Sequence, residues 1–88
     1  MRALLDASRR VLGEDHPDTL TSRSTLAVML IGLGQLEEAE TESRAVLERL
    51  HRVLGEEHPV TRASRRSLAS AFREVGQVSD AEAIERFV

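Results

Sequence analysis

The sequence predicts an all-α chain, an antiparallel helix-hairpin repeat array of about five helices. Three observations lead there. The segment VLGEDHPDTLTSRSTLA at Val11–Ala27 returns as VLGEEHPVTRASRRSLA at Val53–Ala69, a shift of 42 residues that sets 1–46 against 43–88 without a gap. A fixed period of roughly 20–50 residues marks a solenoid or array. Ala, Leu, Glu and Arg dominate the composition while aromatic residues are only 2% of it, which favours helix almost throughout. Finally, each period carries the same punctuation, a Gly followed by acidic residues and His-Pro, then a second Gly.

The elements follow in order from that punctuation. A first helix over Arg2–Leu12 reads as the second helix of a partial unit. His16-Pro17 opens the next helix, Pro17–Leu33, because proline is tolerated in a first turn, where its missing N–H has no partner anyway. The residue before it is pushed to extended backbone, which sets the boundary. Gly34 ends that helix as a left-handed cap. Leu36–Leu54 then places Leu36, Ala39, Ser43, Val46, Leu47, Leu50, Val53 and Leu54 on one stripe at helical spacing. Its other face pairs Glu40 with Arg44 and Glu48 with Arg52 at i,i+4, each pair adding ~0.2–0.5 kcal/mol. His58-Pro59 opens Pro59–Val75, which Gly76 closes. Ser79 and Glu82 have capping-box spacing for a last helix, Val78–Phe87. The second helix is expected to bury Leu26, Ala27, Leu30 and Leu33, and the fourth Leu68, Ala69, Phe72 and Val75. The whole is one domain, 1–88: the partial unit 1–12, a complete unit 17–54 and a truncated unit 59–88.

Composition bounds the function. The chain has 88 residues, one small domain at most, with a formal charge of −3. All of its basic residues are Arg. An acidic balance argues against a nucleic-acid footprint, which needs a strongly basic face. Without cysteine there is no disulfide framework and no thiolate metal site. No apolar run approaches a membrane span and no signal-peptide pattern opens the chain, so the expected address is cytoplasmic.

These repeats resemble tetratricopeptide repeats of the kinesin-light-chain type, a subclass with a 42-residue unit and a GxxHP connection. Gly13-Glu14-Asp15-His16-Pro17 and Gly55-Glu56-Glu57-His58-Pro59 match that connection, and Leu26-Ala27, Gly34 and Ala39, then Leu68-Ala69, Gly76 and Ala81, match the packing skeleton. The resemblance implies a right-handed α-solenoid in which the first helix of each pair lines a concave peptide-binding face. The concave positions it implies are Thr21, Ser24, Thr25, Val28 and Ile31, with Ala63, Arg66, Ser67, Ser70 and Arg73 as their equivalents. Of these, Ser24, Thr25, Val28, Ile31, Arg66, Ser67, Ser70 and Arg73 are the candidate partner-binding residues. The subclass often places an Asn pair before the Leu-Ala, and this chain carries Ser24-Thr25 and Arg66-Ser67 there instead. Arg66 and Arg73 offer planar forks of donors suited to a carboxylate.

No catalytic, cofactor or metal site is expected. His16 and His58 sit beside acidic residues, but a His repeated at a loop edge reads as a helix-entry turn, and His51 as a surface residue. No nucleophile elbow frames any Ser. The five glycines are isolated and build no phosphate loop. Arg62, Arg65 and Arg66 read as a solvated helix face with an anion patch as the sharper alternative, and the acidic run from Glu37 to Glu42 suits a helix start. Val28, Met29 and Ile31 make the second helix apolar almost all round, which calls for burial on more than one side. Neither end shows a polar capping helix, and repeat arrays need about three units and capped ends. Two functions are therefore expected. One is a scaffold binding a protein or peptide on its concave face, a fragment or small member of a larger array. The other is a structural module that self-associates through uncapped terminal helices, as a homodimer.

Overall fold

A computed structural model describes Gly13 and residues 15–86. The described residues form four helices: α1 over Pro17–Gly32, α2 over Leu36–Leu54, α3 over Pro59–Glu74 and α4 over Val78–Glu85. The count is four where about five were expected. The helix expected at Arg2–Leu12 lies outside the described residues, as does Phe87. The four helix starts and the end of α2 fall where expected; α1 and α3 end one residue early and α4 two.

Local chemistry sets each boundary. His16 and His58 hold extended backbone at ψ 138° and 137°, and each ring Nδ1 accepts an N–H two residues on, from Asp18 and Val60, at 3.1 Å. Histidine thus does the work of an N-cap, satisfying a donor that the first turn leaves open. At the far ends Gly34 and Gly76 both adopt φ +82°. The Gly34 N–H donates to the Ile31 carbonyl and the Gln35 N–H to Leu30, a Schellman arrangement repeated by Gly76 to Arg73 and Gln77 to Phe72. The expected capping box at Ser79 and Glu82 does not form. Gln77 is the N-cap of α4 and makes no side-chain cap bond, which leaves Ser79 inside the first turn.

Three-residue turns fold α1 on α2 and α3 on α4, and α1 packs along α3 to join the two hairpins. Leu20, Leu26, Ala27, Leu30, Ile31, Ala39, Val46, Leu47, Leu50, Leu68, Ala69, Phe72, Ala81 and Ile84 form one continuous core. Leu33 and Val75 are not in it; they are 70% and 42% exposed. Each is the C-cap residue just ahead of the turn glycine, where the chain already leaves the buried stripe.

Candidate groove and stacking faces

Helix α1 buries two faces. One carries Arg23, Leu26 and Leu30 and looks toward α2, to which Arg23 Nε donates a 2.7 Å bond, meeting Glu42 Oε1. Both partners are largely shielded, with side-chain exposures of 10% and 23%. The other face carries Leu20, Ser24, Ala27 and Ile31, spaced three or four residues apart on one stripe. Its contact with α3 is the buried Ser24–Ser64 pair, whose Oγ atoms lie 3.0 Å apart. Ser24 has one proton and directs it to the Leu20 carbonyl at 3.1 Å, so Ser64 is the donor across the joint.

Above this pair an open groove of about 520 Å³ runs between α1 and α3. Thr21, Ser24, Thr25 and Val28 line one wall, and Pro59, Val60, Ala63, Ser64 and Ser67 the other. The small side chains that let the helices approach also leave the groove unfilled. Its lining is mostly methyl and methylene, with Thr and Ser hydroxyls spaced along it.

The candidate residues divide on this geometry. Thr25, Val28 and Ser67 line the groove, and Ser24 is its buried floor. Ile31 is only 1% exposed and belongs to the core beneath α3. Ser70 is exposed on α3 but does not line the groove. Arg66 and Arg73 are not groove residues either. They repeat Ser24 and Ile31 at the 42-residue shift, and Arg62 repeats Leu20. The stripe by which α1 packs on α3 therefore returns on α3 as three exposed arginines around the buried Ala69. Sequence alignment equates these positions correctly, but it does not say that the α1 stripe is a stacking face rather than a concave lining.

Arg73 is already engaged. Its two terminal nitrogens grip both oxygens of Glu85 on α4, the Nη1–Oε2 bond at 2.7 Å. The hydrogen bond, with the attraction of opposite charges, lowers the Glu85 carboxyl below its ordinary range and raises the guanidinium of Arg73. The histidines have structural partners too, the capping bonds for His16 and His58, and a 3.7 Å approach to Glu56 for His51. Among the described residues no three metal-ligating side chains converge, and no helix is long and apolar enough to cross a membrane.

Residues 23–86 match the family model for the tetratricopeptide repeat. The chain belongs to the tetratricopeptide repeat family. The match spans α2, α3 and α4 and most of α1, so the helices that bound the groove are family elements. Tetratricopeptide repeats generally mediate protein–protein interaction and are typically non-enzymatic scaffolds. No curated protein matches the sequence.

Proposed function

We propose that this tetratricopeptide chain binds an extended protein or peptide segment in the groove between α1 and α3. The observation that carries the reading is the groove itself. It is an apolar trough with hydroxyls at intervals, bounded by two helices and filled by no side chain among the described residues. Such a surface suits a peptide whose alternate side chains enter the trough while its backbone meets the hydroxyls. The repeated Gly-to-His-Pro connections, with Gly13 and Gly55 at φ 88° and 89°, support the kinesin-light-chain type of unit and its right-handed solenoid.

A filling variant tests the groove. Thr21 and Thr25 are exposed on its α1 wall, so Thr21→Met with Thr25→Met narrows it while favouring helix. Displayed random peptides are selected on the parent chain. A convergent motif that binds the filled variant at least roughly tenfold more weakly, about 1.4 kcal/mol, supports the reading. A motif indifferent to filling, or no convergence at all, refutes it.

A further inference from the structure

We infer that the outward face of α3, built on Arg62 and Arg66, is a second docking surface, one that accepts an acidic helix of a partner protein. This site borders the groove, sharing Pro59 and Ala63 with its α3 wall, but is built on other side chains. Its precedent lies within the molecule: the equivalent stripe on α1, Leu20, Ser24, Ala27 and Ile31, is covered by a helix, α3. On α3 that stripe becomes Arg62, Arg66, Ala69 and Arg73. Ala69, at the centre of that stripe, is 2% exposed and already part of the core, so what the stripe presents outward is its arginines. Its chemistry is what changes.

The charge pattern selects the partner. Arg62 and Arg66 are exposed, one helical turn apart, and neither has a carboxylate partner among the described residues. Together with Arg65 and Glu85 they line a cleft of about 240 Å³. Glu85 does not neutralise them, because Arg73 engages both of its oxygens. An apolar helix laid here would bury two guanidinium groups without partners, which is strongly unfavourable. A helix carrying Asp or Glu one turn apart would meet both arginines at matching spacing. Nucleic acid is a poor fit, since the chain is acidic overall and Glu82 and Glu85 stand beside the face.

The probe is a fluorescently labelled helical peptide with an Ala-rich face flanked by Glu residues one turn apart, titrated into the full chain and read by anisotropy. Binding is expected to weaken as salt rises. Arg62→Glu combined with Arg66→Glu is expected to weaken it by roughly tenfold or more, while a Lys-for-Glu peptide gains affinity for that variant. Both substituted residues are exposed, and matching far-UV circular dichroism melts confirm the fold. The Thr21→Met, Thr25→Met variant should bind the acidic helix as the parent does. The inference is overturned if the charge-reversed variant holds the acidic helix as tightly as the parent, or if filling the groove abolishes binding. A single-stranded oligonucleotide displacing the helix from the same arginines at lower concentration would also overturn it.

Discussion

Thr19 and Thr61 occupy the same position in successive units and have different surroundings. Thr61 is 3% exposed, and its Oγ1 donates to the Leu50 carbonyl at 3.4 Å. Thr19 is fully buried, and its Oγ1 has no hydrogen-bond partner among the described residues. Valine replaces the hydroxyl by a methyl with little change in helix propensity, so the same substitution should act with opposite sign at the two sites. A buried hydroxyl without a partner costs ~1–3 kcal/mol on protein mutational scales, so Thr19→Val should stabilise by about 1 kcal/mol. At Thr61 the bond is long, and the Leu50 carbonyl keeps a second donor, the Gly55 N–H at 3.2 Å. Thr61→Val should therefore destabilise by only ~0.5 kcal/mol. For a domain of this size the two melting temperatures should separate by about 6–12 °C, with the parent between them. The chain has neither Trp nor Tyr, so urea and thermal unfolding are followed by far-UV circular dichroism. If Thr19→Val loses as much stability as Thr61→Val, the Thr19 hydroxyl is satisfied in the folded protein and the reasoning fails.

Three further outcomes are expected. His58→Ala should cost about 1 kcal/mol in urea unfolding, and His58→Asn should recover most of it, because each reports the bond to the Val60 N–H. Gly34→Ala should cost ~1–2 kcal/mol: a Cβ there meets no atom within 4 Å, so the loss measures the positive φ alone. A loss well above that range would point to a steric clash the structure does not contain. Since pairing with Arg73 lowers the Glu85 carboxyl, its stabilising contribution is full above the ordinary glutamate range and fades as pH falls through the lowered value. Carboxyl-detected NMR titration should find Glu85 below the ordinary range and returning to it in Arg73→Gln; an unchanged midpoint would show that the pair does not persist in solution.

The helix boundaries were legible because they depend on local chemistry. His-Pro and Gly act through their own backbones, so their spacing located α1, α2 and α3 to within a residue. The Ser79–Glu82 spacing misled for the same reason. A capping box is defined by position relative to the first helical residue, and α4 starts one residue ahead of Ser79. Leu33 and Val75 continue the apolar pattern beyond the last turn, where periodicity still counts them and packing does not. The larger miss concerned Ile31, which is buried in the core, while Arg66 and Arg73 are exposed but lie outside the groove. A helix in a stack has two buried faces, and hydrophobic period alone does not separate a face covered by its hairpin partner from one covered by the next unit. The signal was present in the repeat itself. Leu20, Ser24 and Ile31 change together to Arg62, Arg66 and Arg73, a concerted change along one stripe that neighbouring positions such as Leu26 and Leu68 do not share.

The Ser24–Ser64 contact serves two geometric purposes at once. It is the floor of the groove and the joint at which one hairpin meets the next. The width of the trough and the pitch between the units are therefore a single adjustable dimension. A bulkier side chain at either serine would pry the walls apart and tilt the second hairpin by the same movement. The width of the groove and the curvature of the stack meet at one pair of hydroxyls.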